Sequence, residues 1–394
     1  MKNIYSVLEV CRIFLKLGLT SFGGPIAHLG YFREEFVNRR KWLEEKAFAD
    51  LVALCQFLPG PASSQAGIAI GTTRAGLWGG FAAWLGFTMP SAVALILFGY
   101  GTGIFEEGTG WIHGLKVVAV AVVVQAVWNM AVNLCPDRPR RTIAVLSALA
   151  VLLWHSSFSQ IAVIVIAGIA GWKLLRSDHS DIVSSAPATS ITSHPGAVFA
   201  LIVFLVLLVV LPILEMLFPG STVAVIASFY RAGSLVFGGG HVVLPLLQAE
   251  VVPPGWVTND VFLVGYGAAQ AVPGPLFTFA AYLGTVMSPQ PRGWIGGMIC
   301  LTAIYLPSFL LLMGAMPFWE TLRSRTGVQS VLKGVNAAVV GLLLAALYDP
   351  LWVSAILSVK DFALGLICFG LLTLWKVPPW LIVIFAVFVS FLVA

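Results

Sequence analysis

The chain has 394 residues, of which 59% are hydrophobic and 10% are charged, and its formal net charge is +5. Soluble domains carry about 25% charged residues, so this composition excludes an ordinary water-soluble protein and predicts one that crosses a lipid bilayer several times. Basic residues lie mostly in loops between apolar runs, which topology explains better than nucleic-acid binding. The five cysteines show no CxxC spacing, so neither a metal site nor a cofactor is expected.

Thirteen apolar segments, each a candidate helix, follow one another along the chain. They lie at roughly 4–22, 47–72, 76–101, 113–134, 142–157, 159–175, 197–217, 221–240, 260–285, 294–317, 329–348, 361–375 and 379–394. The polar stretch 177–195 is rich in Ser and Thr and predicts a mobile linker.

The chain repeats three motifs in the same order, at an offset of 214 to 217 residues. The paired motifs are FLKLGLTSFGG (14–24) with FYRAGSLVFGG (229–239), WLEEKAFADLVALCQFLPGP (42–61) with WVTNDVFLVGYGAAQAVPGP (256–275), and GLWGG…PS (76–80, 90–91) with GWIGG…PS (293–297, 307–308). We therefore predict an N-terminal repeat over 1–175, a linker with one connecting transmembrane helix over 176–220, and a C-terminal repeat over 221–394.

The positions of the basic residues predict how the first two segments meet the membrane. If 4–22 and 47–72 both crossed fully from a cytoplasmic N terminus, five basic residues would face outside, against the positive-inside rule. These are Arg33, Arg39, Arg40, Lys41 and Lys46. We therefore predict that both segments dip in and return as helical hairpins. The single span 197–217 then inverts the second half, which gives an all-α polytopic membrane protein with two inverted-topology repeats.

Two Pro-Gly-Pro motifs predict helices that break inside the membrane. The motifs consist of Pro59, Gly60 and Pro61 in the first half and Pro273, Gly274 and Pro275 in the second. Proline cannot continue a helix, and a helix that restarts offers unpaired N–H groups and its positive end to an oxyanion. Nearby side chains able to form hydrogen bonds are Gln56, Ser63 and Ser64, with Gln270 and Thr278 in the second half. The structural alternative is an ordinary proline kink.

Two glycine pairs and two cations extend this candidate anion site. The glycines are Gly23 and Gly24 in the first half and Gly238 and Gly239 in the second; close helix packing is their structural alternative. Lys16 aligns with Arg231, and each lies seven residues before the first glycine of its pair. Both residues lie inside an apolar helix, where a charge usually has a role. Both are predicted to bind the anion, and snorkelling of either side chain to the headgroups is the alternative.

Four titratable side chains are candidates for proton coupling. They are His28 and His241, which follow the glycine tips, and Glu35 and Glu250, which align with each other. A structural histidine and a solvated carboxylate at a helix end are the alternatives for these two pairs.

With FGGP at 22–25, QFLPGP at 56–61, FGG at 237–239 and QAVPGP at 270–275, the chain resembles the chromate ion transporter family over nearly its whole length. The resemblance implies a carrier in a prokaryotic inner membrane that exports chromate and confers chromate resistance. Sulfate has similar size and charge, so an uptake carrier for a sulfate-like oxyanion is the alternative within transport. The second half reads FGGG at 237–240, which leaves the second glycine tip less defined, and the assembly stays open between a monomer and a homodimer.

Two other classes of protein remain as alternatives. A membrane-embedded enzyme, such as a lipid head-group transferase, needs clustered acidic residues or histidines, and the chain has neither an HExxH motif nor a paired-Asp motif. A channel without alternating access is the third reading. We therefore expect a transporter and no enzymatic activity.

Overall fold

A computed structural model describes residues 2–102, 110–154, 157–175 and 194–393, and all of the regular secondary structure in these ranges is helical. Five helical segments are long and apolar enough to cross a membrane, at 62–102, 110–134, 194–217, 293–324 and 326–355. The prediction of an all-α polytopic membrane protein is thus confirmed. The predicted linker 177–195 lies outside the described residues except for its last two positions.

The first half consists of α1 (Lys2–Thr20), α2 (Gly24–Arg33), α3 (Glu45–Phe57), α4 (Ala62–Thr102), α5 (Gly110–Leu134), α6 (Arg138–Leu153) and α7 (Ser157–Leu174). A π-helical turn, Glu34–Arg39, extends α2. The connecting helix is α8 (His194–Leu217).

The second half consists of α9 (Thr222–Leu235), α10 (Val243–Val251), α11 (Asn259–Ala271), α12 (Phe279–Val286), α13 (Gly293–Ala315), α14 (Trp319–Ser324), α15 (Thr326–Ala346), α16 (Val353–Ala355), α17 (Val359–Thr373) and α18 (Pro379–Val393). Short 3-10 turns, Gly240–Val242, Leu276–Thr278 and Met316–Phe318, precede α10, α12 and α14, and a π-helical turn, Leu347–Trp352, follows α15.

Helix α4 is a hairpin of two helices rather than one long rod. The backbone leaves the helical region at Ala75 and Gly76, where Gly76 has a φ of +68°. The two arms then pack so closely that a Cβ on Gly79 would lie 2.2 Å from the carbonyl oxygen of Gly71. Only glycine permits this approach, so the GLWGG motif fixes the return of the chain. The arms 62–74 and 77–102 match the boundary that the apolar segments predicted.

The first two segments also fold back, because residues near the start of α1 contact residues that follow each hairpin. Glu9 of α1 pairs with Arg40 at 3.4 Å and with Arg74 at 3.3 Å. The Arg74 guanidinium also lies over the Trp42 ring, 4.8 Å from its centroid. Helix α3 has 13 residues, or about 20 Å of length, which is shorter than the roughly 30 Å hydrocarbon core of a bilayer. The turn at 58–61 therefore lies inside the bundle, far from this charged end.

Two long helices, α5 and α15, interlock the halves. Helix α5 packs against α17 and α18 of the second half, and α15 packs against α6 and α7 of the first. Small residues bring these backbones together: a Cβ on Gly114 would lie 2.7 Å from the Ala386 carbonyl oxygen, and one on Gly334 would lie 2.1 Å from that of Ala167. Each half thus supplies the packing surface of the other.

Candidate functional site

The turns predicted from the glycine and proline motifs meet across the boundary between the halves. The Gly60 N–H donates to the carbonyl oxygen of Val236 at 2.7 Å, and the Gly274 N–H donates to that of Ser21 at 2.9 Å. Ser21 and Val236 occupy equivalent positions of the repeat, just before the two glycine tips. Each proline-flanked glycine therefore binds the end of the helix that leads to the other half's glycine tip, and the sequence did not predict this exchange.

The glycine tips themselves are also neighbours. A Cβ on Gly240 would lie 3.4 Å from Cγ of Pro25. Gly23 and Gly24 have φ angles of +103° and +79°, and Gly238 and Gly239 have +74° and +149°. Residues other than glycine rarely adopt these backbone conformations, which explains why glycine occurs at both tips.

Neutral polar side chains surround the first proline-flanked break. The helix that begins at Ala62 has Ser63 and Ser64 in its first turn, and both are buried. Ser64 Oγ lies 3.5 Å from the Tyr305 hydroxyl, and Gln65 Nε2 donates to the Pro59 carbonyl at 2.8 Å. The first turn of a helix combined with hydroxyl groups is an arrangement that binds anions.

The same break is close to polar atoms that have no partner. Within the described part of the chain, the buried atoms without a hydrogen bond include Ser308 Oγ and Gln65 Oε1 at this break and His28 Nε2 of the neighbouring histidine. Ser21 Oγ and Gln270 Nε2 also lack a partner, but these two residues lie beside the second break. Ser308 Oγ would lie 2.5 Å from a Cβ on Gly60, so this hydroxyl faces the break directly. Buried polar groups are nearly always paired, so these atoms make the first break a candidate binding site.

The second break has the same backbone but more of its polar groups are satisfied. Thr278 Oγ1 donates to the Pro275 carbonyl at 2.8 Å. Ser91 lies next to Gly274, and its hydroxyl donates to the Thr88 carbonyl at 3.0 Å. The position equivalent to Ser63 is Phe277, which is buried.

Neither predicted cation is an unpaired charge at the breaks. Lys16 is exposed. Arg231 donates from Nε to Glu250 Oε1 at 2.7 Å and from Nη1 to Glu215 Oε2 at 2.9 Å. Two carboxylates thus already neutralise its guanidinium, so its geometry favours a structural ion triad over an anion ligand.

The two carboxylates proposed for proton coupling both form ion pairs with arginine. Glu250 belongs to the Arg231 triad, and Glu35 pairs with Arg39 at 3.1 Å and with Arg40 at 2.6 Å. Burial alone would raise the pKa of Glu35, but the hydrogen bonds and charges of these arginines outweigh burial and hold that pKa below its usual value. Glu35 is therefore ionised at neutral pH.

The two histidines differ from each other in their surroundings. His28 Nδ1 lies 3.3 Å from Ser63 Oγ, whereas His241 Nδ1 lies 2.8 Å from the Tyr266 hydroxyl. His28 thus touches the first break. Gln56 is exposed and Gln270 is half-buried, so these aligned glutamines do not share one environment.

Sequence reasoning missed Tyr305, Gln65 and Ser308 as members of this site. The repeated Pro-Ser pairs at 90–91 and 307–308 were visible, but only the fold brings each pair to the break of the other half. No group of three or more His, Cys, Asp or Glu side chains in the described ranges is arranged to hold a metal ion.

Comparison with known proteins identifies the family. The model of the family described as "Chromate transporter" matches residues 8–172 and 223–391. No solved structure matches. The chain is similar to the chromate transport protein of Pseudomonas aeruginosa, with 29% identity over 383 residues that cover 92% of this chain and 86% of that protein.

Two further relatives match different shares of this chain. An uncharacterized transporter of Methanocaldococcus jannaschii, MJ0718, is 27% identical over 87% of this chain and 84% of its own. The uncharacterized transporter YwrB of Bacillus subtilis is 32% identical over 176 residues, which cover 42% of this chain and 84% of that protein. The two matches of the family model together cover most of the sequence, and the helices are those of a membrane protein. This chain therefore belongs to the chromate transporter family of multi-pass membrane proteins.

Proposed function

We propose that this protein exports chromate from the cytoplasm and binds it where the broken helices of the two halves meet. The observation that carries the proposal is the reciprocal pair of hydrogen bonds from Gly60 to Val236 and from Gly274 to Ser21. These bonds hold the helix starts after Pro61 and Pro275, together with buried hydroxyl groups, at one place between two interlocked halves. A site at such a boundary is accessible to either side of the membrane when the halves shift against each other.

An inverted arrangement of the halves underlies this proposal. The Tyr100 hydroxyl, at the far end of α4, accepts a hydrogen bond from the Trp294 N–H at the start of α13. Arg323, which follows α13, donates to Asp50 of α3 at 3.0 Å. The second arm of α4 (77–102) and α13 therefore run antiparallel to each other. These contacts support repeats that enter the membrane from opposite sides.

The membrane potential supports the direction that we propose. A dianion that leaves a negative-inside cell gains about 2.3 kcal/mol per charge for each 100 mV, or about 4.6 kcal/mol in total. Export needs no coupled ion on this account, whereas uptake of a sulfate-like oxyanion does. We further propose a prokaryotic inner membrane with a cytoplasmic N terminus, because the positive-inside rule favours that side for Arg33, Arg39 and Arg40. Export there would confer chromate resistance.

Flux of labelled chromate into inside-out vesicles tests the proposal. We expect uptake that depends on the protein, grows when the lumen is made positive and falls when an ionophore collapses the potential. Sulfate is added as a competitor, and vesicles without the protein are the control. Uptake equal to that control contradicts transport. Uptake restricted to right-side-out vesicles with an imposed cation gradient contradicts export and supports the uptake carrier.

A further inference from the structure

We infer that only the first of the two equivalent breaks, Pro59–Pro61, forms the anion site, and that Ser308 of the second half is one of its ligands. This inference rests on the proposed function and makes it more specific. The repeat predicts two equal breaks, whereas the side chains around them differ in whether their hydrogen bonds are already made.

The Ser308 hydroxyl is the strongest single observation at the first break. Ser308 is fully buried, and its Oγ has no partner among the described residues. It faces Gly60 closely, since a Cβ there would lie 2.5 Å from this oxygen. A buried hydroxyl without a partner costs free energy, and an anion at the start of the helix after Pro61 would accept a hydrogen bond from it.

Neighbouring side chains make the first break polar on several sides. Ser64 lies in the first turn of the restarting helix and approaches the Tyr305 hydroxyl of the second half. Gln65 is fully buried beside Gly60, and its Nε2 donates to the Pro59 carbonyl, so this amide holds the turn in place and does not donate to an anion. Ser308 and Tyr305 come from the second half, so a bound anion would connect the two halves.

The second break lacks these features at the equivalent positions. Ser91 is the counterpart of Ser308, but it already donates to Thr88 at 3.0 Å. Thr278 is the counterpart of Ser64, but it already donates to Pro275 at 2.8 Å. Phenylalanines, Phe277 and Phe279, replace Ser63 and Gln65. Two buried donors without a partner, Ser21 Oγ and Gln270 Nε2, do lie beside this break, but the hydroxyls at the helix start are occupied and aromatic rings stand beside them. An anion would therefore regain fewer hydrogen bonds there than at the first break.

The chemistry of the first break fits a tetrahedral oxyanion with two charges. Backbone N–H groups and the hydroxyls of Ser64, Tyr305 and Ser308 all donate hydrogen bonds, and chromate accepts them through every oxygen. These donors are neutral, so the site has no net charge when it is empty and carries only the charge of the substrate when it is loaded. Such a site favours release as well as binding, because it carries no fixed charge that would hold the anion.

Two matched serine variants test the inference. Chromate binding to the purified full-length protein is measured for Ser308→Ala and for Ser91→Ala, with thermal unfolding of each as a check on folding. We expect Ser308→Ala to weaken binding about ten- to a hundredfold, the loss of one hydrogen bond to a charged group. The chromate affinity of Ser91→Ala should stay within about twofold of the parent's, because the Ser91 hydroxyl already donates its hydrogen bond to the Thr88 carbonyl. Ser308→Thr keeps the hydroxyl and should bind better than Ser308→Ala.

The possible outcomes separate this inference from the proposed function. Equal losses in the two alanine variants would overturn the asymmetry and support a site shared by both breaks. Parent-like binding by Ser308→Ala would remove Ser308 from the site while leaving chromate transport intact. A parent protein that binds no chromate in this assay would contradict the proposed function and the inference together.

Discussion

Replacing Arg231 with glutamine is expected to destabilise the folded protein by about 3–5 kcal/mol, because the change leaves two carboxylates without their shared cation. Arg231 donates to Glu250 through Nε at 2.7 Å and to Glu215 through Nη1 at 2.9 Å. The Arg231 and Glu250 side chains are only 15% and 8% exposed. Water therefore screens the two remaining negative charges poorly, and their repulsion acts between α8 and α10.

Thermal unfolding of the purified protein in detergent measures this effect. A combined variant that also carries Glu215→Gln and Glu250→Gln should regain much of the lost stability, because no buried charge is left unpaired. Chromate binding is measured in parallel. If Arg231→Gln unfolds at the parent temperature and yet binds chromate much more weakly, Arg231 is an anion ligand, as its position in the sequence suggested, and not a structural residue.

Replacing Gly60 with alanine is expected to abolish most chromate transport. Gly60 has a φ of +125°, and an alanine held there costs about 1–3 kcal/mol in backbone strain. Its Cβ would also lie 2.5 Å from Ser308 Oγ and 2.7 Å from Gln65 Nε2, and overpacking of this kind costs about another 1–3 kcal/mol. Both neighbours must move, and the hydrogen bond from Gly60 to Val236 is strained.

The matched control for this change is Gly76→Ala. Gly76 also has a positive φ, +68°, but a Cβ there would meet nothing within 4 Å. It therefore carries the strain without the collision. In vesicles with equal amounts of inserted protein, we expect Gly60→Ala to reduce the initial rate of chromate flux by more than tenfold, and Gly76→Ala to retain most of it. Similar rates for the two variants would contradict a site at the first break.

The helical hairpins could be predicted from the sequence because their signals are local. Pro-Gly-Pro at 59–61 and 273–275 and the glycine tips at 23–24 and 238–239 break helices whatever surrounds them. The duplication showed which breaks correspond. The turn at Gly76 follows from the same logic, since GLWGG combines a helix break with small residues that let the two arms approach.

The partners of the charged residues could not be predicted in the same way. Lys16 and Arg231 align, yet one is exposed and the other binds two carboxylates. Glu215 lies in α8, outside the repeat, so comparing the halves gave no reason to pair it with Arg231. In α1 the buried residues Val10, Ile13, Phe14 and Leu17 recur at helical spacing, so periodicity alone places Lys16 outside the buried stripe. No such pattern indicates which carboxylates pair with Arg231.

The exchange between halves also depends on tertiary structure. The Pro-Ser pair at 307–308 reaches the break at 59–61 only because α13 runs back along the first half. Its counterpart at 90–91 approaches Gly274 for the same reason. No local pattern encodes this register, which the interlocking of α5 and α15 with helices of the opposite half determines.

The position of bound chromate is the most direct test of a site at the first break. Diffraction from crystals of the chromate-bound protein, recorded at the chromium absorption edge, locates the metal atom of the substrate without reference to the fold. We predict one chromium peak between the helix start after Pro61 and Ser308, with Ser64 and Tyr305 within hydrogen-bonding reach of its oxygens. A peak beside Gly274, or one peak at each break, would contradict the account.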